Sequence, residues 1–271
     1  MPPRTFLIRG RSPRTEPATN RARFSTSAKR DGGRRARSGL LLLSWYDRGV
    51  DDHVGSAPGG KERPAFRGVL HHIAFLVSLV TGAALIALAP TPRATLAATI
   101  YAASLSALLG TSALYHRVTW SVPARRWMGR LDHSMINVLI AGTFTPFGLV
   151  VLSKDLGGLL LETVWTGALA GIALHLFWFD APKWLSALLY VLLGWVGIIA
   201  APQVIERAGW TVAGLVLAGG LLYTAGALVY AMRRPDPAPA SFGYHEVFHA
   251  LVVAAAGLHF GAIASVILPS A

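Results

Sequence analysis

The chain contains no cysteine in 271 residues. Thiolate metal sites, disulfides and cysteine nucleophiles are thereby excluded, and redox chemistry says nothing about compartment. Charge is also scarce. Asp, Glu, Lys and Arg make up 14% of the residues, against about 25% in an ordinary soluble domain. No acidic residue follows Glu246. A metal site here must rest on His, Asp, Glu or hydroxyl groups. What the chain has in quantity is apolar surface: 53% of its residues are apolar and its mean hydropathy is +0.49. That is the composition of an integral membrane protein.

The net charge of +12 is unevenly placed. Residues 1–67 hold 15 Lys and Arg against 6 Asp and Glu, and the other 204 residues hold 10 against 7. The stretch "GRSPRTEPATNRARFSTSAKRDGGRRAR" has no sustained period, so residues 1–64 are expected to form a disordered basic tail ahead of a membrane domain, residues 65–271. The apolar run "SGLLLLSWY" within it is too short to span a bilayer. It starts late and lacks a clear small-residue cleavage site, so no signal peptide is expected. Such a tail either contacts anionic lipid or nucleic acid, or is simply solvated; no specific nucleic-acid partner is assigned to it.

From residue 69 onward the chain reads as a series of apolar runs of roughly 20 residues, the length that crosses a bilayer as a helix. Seven are expected: 69–89, 94–116, 132–152, 159–179, 184–204, 211–232 and 245–268. Short links such as "APTPR", "TWSVPARRWMGR" and "RRPDPAPAS" hold Pro and Gly that stop helices. The expected fold is an all-α seven-transmembrane-helix bundle. Basic loop residues orient it. With the N-terminus cytoplasmic, the inside receives the tail, Arg117, Arg125, Arg126, Arg130, Lys183, Arg233 and Arg234. The outside receives only Arg93, Lys154 and Arg207. The C-terminus then lies outside.

In that frame three distant segments bring polar residues to one depth near the inner face. "TSALYH" places His116 at the inner end of the second span, "RLDHSMIN" places Asp132 at the inner start of the third, and "GYHEVFH" places His245 and His249 at the inner start of the seventh. Ionisable groups inside a membrane are costly and mark function. His245 and His249 are four residues apart and share a helix face, as do Ser112 and His116. Three imidazoles and a water make a tetrahedral zinc site with one open position. Asp132 would hold or deprotonate that water. The bland readings are an N-cap or a partner of Arg130 for Asp132, a carbonyl bond one turn back for Ser112, and interfacial positions for the histidines.

His245-Glu246-Val247-Phe248-His249 also matches H-E-x-x-H, in which the Glu serves zinc proteases as general base. Glu246 is about 100° around the helix from His245. A protease would also need a third ligand further on, where only His259 is available, about 15 Å up the helix. Of the remaining histidines, His71 and His72 begin the first span and are candidates to line a cavity. His133, His175 and His259 read as core or supporting residues, and His53 lies in the tail. Asn137, Thr143 and Thr145 are candidates to satisfy backbone groups around "TFTPF", where Pro146 removes one helical bond.

The stretches "RGVLHHIAF", "SALYHRVTW", "RLDHSMINVLIAGTFTPF", "APKWLSALLYVLLGW" and "FGYHEVFHALVV" resemble the hemolysin III family, the bacterial branch of the progestin and adiponectin receptor superfamily. The resemblance covers roughly residues 62–268. It implies a seven-helix fold in the bacterial inner membrane. It further implies zinc on His116, His245 and His249 near the cytoplasmic face, a water held by Asp132, and Ser112 beside them. It also implies kinship with alkaline ceramidases, and hence a membrane lipid or lipid-derived substrate. Two classes of function follow: a zinc-dependent hydrolase of lipid amides or esters, or a non-enzymatic pore or receptor with structural zinc. A monomeric pore would need a polar stripe through the bilayer, and the outer halves of these runs are almost wholly apolar.

Overall fold

The computed structural model describes residues 64–178 and 183–268. The predicted tail, with its basic stretch and His53, lies outside the described residues apart from Pro64. Among the described residues the regular elements are helical, beside one isolated bridge between Ala238 and Phe242. In chain order the α-helices are α1 (Val69–Ala87), α2 (Pro92–Arg117), α3 (Val122–Pro146), α4 (Lys154–Phe177), α5 (Lys183–Trp195), α6 (Ala201–Met232) and α7 (Tyr244–Ile267). A π-helical turn, Phe147–Val151, extends α3, and a 3-10 turn, Val196–Ala200, joins α5 to α6.

Six helical stretches among the described residues are long and apolar enough to cross a membrane. The fifth and sixth predicted runs fall together in one of them, Leu185–Met232, which is 48 residues long. The six-residue link expected at 205–210 is absent, because the helix is continuous through residues 201–208. The interruption comes at Gly209, whose φ of 87° and ψ of 168° are non-helical and suit a residue without a Cβ.

The bundle has an apolar core with polar residues set into it, and its outer faces are apolar too, unlike those of a soluble bundle. On α1 the buried residues are His71, Ser78, Gly82 and Leu85. They repeat at seven, four and three residues and so mark one helix face. The other faces expose Ile73, Leu76, Val77 and Val80. Such a helix loses nothing when its exposed faces meet lipid tails, and its small buried residues let neighbours approach closely. A Cβ on Gly82 would come within 2.9 Å of the Ala102 Cβ on α2. Each helix from α1 to α4 packs on the next, and α7 packs on α6 and reaches back to α1, α2 and α3.

Local sequence sets most helix starts. Thr91 accepts the Ala94 N–H at 3.2 Å and Pro92 occupies the first turn of α2, where a missing N–H costs nothing. Ser153 caps α4 through the Leu156 N–H at 3.4 Å. The start of α3 departs from expectation. It begins at Val122, ten residues before the predicted 132, because Pro123 of "TWSVPARRWMGR" sits in the first turn and opens a helix instead of ending one. Asp132 is therefore interior to α3, and the N-cap reading of it is excluded. At the other end of α3, the Thr145 hydroxyl donates to the Ala141 carbonyl at 2.9 Å just before Pro146. The Trp165 indole N–H in turn donates to Thr145 at 3.2 Å. The chain then widens into the π-turn, closed by the Leu152 N–H on the Phe147 carbonyl at 3.0 Å. Asn137 and Thr143 are buried, but Asn137 lies against Gly171 of α4, away from the proline.

Candidate metal centre

His116 belongs to the last turn of α2, and His245 and His249 belong to the first turns of α7. One ring nitrogen from each lies within 4.8 Å of the others. The Nε2 atoms of His116 and His245 are 3.2 Å apart. Ring centroids are separated by 4.7 Å for His116–His245, 5.0 Å for His116–His249 and 4.5 Å for His245–His249, all edge to face. Two nitrogens bound tetrahedrally at about 2.0–2.1 Å from one ion would sit about 3.3–3.4 Å apart, and the His116–His245 pair is close to that spacing. The donor set is three imidazoles, which suits a divalent transition metal and offers nothing to a thiolate-seeking one. These three residues could hold a metal ion.

The neighbours of the triad come from α1, α2 and α3. Asp132 Oδ2 lies 3.9 Å from His116 Nε2, and its side chain is 15% exposed. The Ser112 side chain, one turn before His116, lies beside the Asp132 carboxylate. Asp132 and Ser112 thus both lie near His116. Tyr115 packs on His116 with ring centroids 4.7 Å apart, and the Arg125 guanidinium lies 5.2 Å from the Tyr115 ring. The chain before α1 closes the site from the other side. Gly68 takes φ 76°, and a Cβ there would meet the His116 Cβ at 2.7 Å. Glycine is required for both reasons.

Glu246 does not face the triad. One carboxylate oxygen accepts the Gly243 N–H at 2.9 Å at the start of its own helix, and the other accepts from Arg67 Nε at 2.5 Å. The side chain is 1% exposed, and Arg67 neutralises it. A carboxylate at the third position of a helix reaches back to free backbone N–H groups. The signal was present in Gly243-Tyr244-His245-Glu246, three residues from cap to acid. This Glu has its oxygens engaged elsewhere, and the H-E-x-x-H base assignment loses its geometry.

The remaining histidines separate. His71 is buried and stacks on His249, with ring centroids 3.8 Å apart and planes 9° from parallel. His72 is exposed. His133 and His175 lie 5.7 Å apart, and the Tyr190 hydroxyl of α5 is 2.7 Å from His175 Nε2 and 3.0 Å from the His133 carbonyl. They form a polar tie between α3, α4 and α5. His259, further along α7, is 3.0 Å from the Val216 carbonyl of α6 through Nε2. The stack of His71 on His249 and the pairing of Arg67 with Glu246 across 179 positions were not visible in the sequence. Neither rests on a motif or a period.

Comparison with known proteins gives one answer. A family described as Haemolysin-III related matches residues 60–260. The chain is 33% identical to Hemolysin-3 of Bacillus cereus over 181 residues, 67% of this chain and 80% of that protein. It is 33% identical to the Hemolysin-3 homolog of Bacillus subtilis (strain 168) over 162 residues, 60% of this chain and 73% of that one. It is also 31% identical to an adiponectin receptor protein of Drosophila melanogaster over 173 residues, 57% of this chain and 39% of the receptor. Together with the apolar helices and the His116, His245 and His249 cluster, these matches make the chain a multi-pass membrane protein of the hemolysin III family, within the progestin and adiponectin receptor superfamily.

Proposed function

We propose that this protein is a zinc-dependent hydrolase of lipid amides or esters whose centre lies near the cytoplasmic face. The observation that carries the reading is the meeting of three imidazoles with the Ser112–Asp132 pair at one level of the bundle. His116, His245 and His249 would hold the ion. Zinc in such a place supplies a Lewis acid and lowers the pKa of a water to near 7. Asp132 accepts the proton from the attacking water, and the Ser112 hydroxyl fixes its orientation. The substrate is a membrane lipid, since a centre inside an apolar bundle meets lipid first.

The topology belongs to the same proposal. Leu185–Met232 would be about 72 Å long as one straight helix, more than twice the hydrocarbon thickness. Gly209 opens the second of two 24-residue halves (185–208 and 209–232), each long enough to cross. The chain then crosses seven times, with its N-terminus inside and its C-terminus outside, which puts Arg117, Arg125, Arg126, Arg130, Arg233 and Arg234 on the cytoplasmic side. A single cysteine introduced at residue 121 should react only with reagents that reach the inner face. Labelling from outside would reverse the orientation.

A second reading is a pore or receptor in which zinc is structural. It draws on the names of the relatives, a hemolysin and an adiponectin receptor protein. The deciding experiment assays purified, zinc-loaded protein against a panel of lipid amides and esters. Hydrolysis that is lost in Asp132→Asn with zinc retained supports the enzyme. A fully zinc-loaded wild type that turns over none of the panel supports the second reading.

A further inference from the structure

The first residues of α1 and its approach supply no member of the triad, yet they touch two of its members and the neighbour of the third. Gly68 lies against His116, Arg67 pairs with Glu246 beside His245, and His71 stacks on His249. Two of these contacts explain themselves: Gly68 allows close approach, and Arg67 neutralises a buried carboxylate. His71 is different. It is 3% exposed, and neither Nδ1 nor Nε2 has a hydrogen-bond partner among the described residues. Buried polar groups in folded proteins are almost always partnered, and leaving one unpaired is costly. The parallel stack on His249 needs only a flat ring, which a phenyl group would supply without that cost. A neutral imidazole offers one N–H donor and one acceptor nitrogen, and the chain leaves both idle beside the triad.

Resting on the hydrolase reading above, we infer that His71 is a substrate-contacting residue whose ring N–H donates a hydrogen bond to the carbonyl oxygen of a lipid amide held at the three-histidine centre. The division of labour follows the fold. Asp132 and Ser112 approach from α3 and α2 on the His116 side, while His71 comes from α1 on the His249 side. The water and the carbonyl oxygen are thus served by different helices. A fixed donor aimed at an oxygen that gains negative charge during attack is worth more in the transition state than in the ground state.

The test uses full-length protein in lipid nanodiscs with dodecanamide carrying a carbon-13 carbonyl, read by the infrared carbonyl stretch. Zinc-depleted protein is used first, so that no metal contributes to the shift. In the wild type the carbonyl band of bound amide should fall below its position in empty nanodiscs. In His71→Phe, which keeps the stack, the shift should vanish and the amide should bind about 3- to 10-fold more weakly, with zinc uptake unchanged. His71→Gln, which restores a donor, should recover the shift in part, and it serves as the probe if the phenylalanine variant fails to fold. A shift retained by His71→Phe, or absent from a folded His71→Gln, overturns the inference alone and leaves the hydrolase reading standing. No shift in the wild type, with or without zinc, overturns both.

Discussion

His249 and His259 lie on the same helix, ten residues apart, and both are buried. Their surroundings divide them. Around His249 stand His245 of its own helix, His116 of α2 and His71 of α1, with centroid distances of 4.5, 5.0 and 3.8 Å. Around His259 stand one backbone carbonyl, Val216 at 3.0 Å, and the Tyr223 ring at 5.4 Å. Gly219 makes room for it, since a Cβ there would fall 2.4 Å from Nε2. A histidine within an apolar bundle is therefore not a metal ligand by virtue of burial. His259 has Nε2 answered by a main-chain carbonyl of the neighbouring helix and so ties α7 to α6, while its Nδ1 has no partner among the described residues. His249 has its neighbours' nitrogens converging with its own, an arrangement that a shared ion stabilises. The first turns of α7 gather groups that could hold a metal ion, and its middle is built for packing.

The largest expected effect that separates the two ends is metal content. Replacing His116, His245 and His249 together by Ala should abolish zinc in the purified protein, while His259→Phe should keep full stoichiometry by elemental analysis. Next comes catalysis. If hydrolysis is found, Asp132→Asn should lower its rate by about 10²–10⁴-fold, the usual cost of a lost general base, and keep most of its zinc. Removing a contact that only orients ligands would cost metal affinity instead, by about 10–100-fold. Glu246→Gln belongs to that second kind. It can still accept the Gly243 N–H but loses the charge that Arg67 pairs with, so chelator competition should show zinc held about tenfold more weakly. Its rate at full zinc loading should fall less than that of Asp132→Asn. The opposite ranking of these two variants would restore Glu246 as the base. The smallest effect is expected at the packing end. Gly219→Ala should lower the unfolding midpoint through a clash worth about 1–3 kcal/mol and leave zinc affinity unchanged.

How far the sequence foretold this depends on the kind of signal. The spacings Ser112–His116 and His245–His249 are set by the helical repeat, so the residues that share a face were legible. Bringing His116, Asp132 and the α7 pair to one level needed only the order and length of the apolar runs. What packing decides was not legible. Which way α1 rotates, and hence that His71 turns inward while His72 faces out, depends on the side chains α1 meets, and no period encodes that. Glu246 was ambiguous as an angle on a helical wheel, and its destination came from a cap and an arginine far away in sequence. The early start of α3 at Val122 was missed because Pro123 was read as a breaker when its place in a first turn makes it a starter.

The central claim is that His116, His245 and His249 share one ion. Zinc K-edge absorption on the purified wild-type protein tests it most directly. The account predicts one zinc per chain with three imidazole nitrogens at about 2.0–2.1 Å, and loss of that imidazole scattering in His249→Ala. Zinc surrounded by oxygen alone, or an imidazole pattern unchanged in His249→Ala, would contradict it.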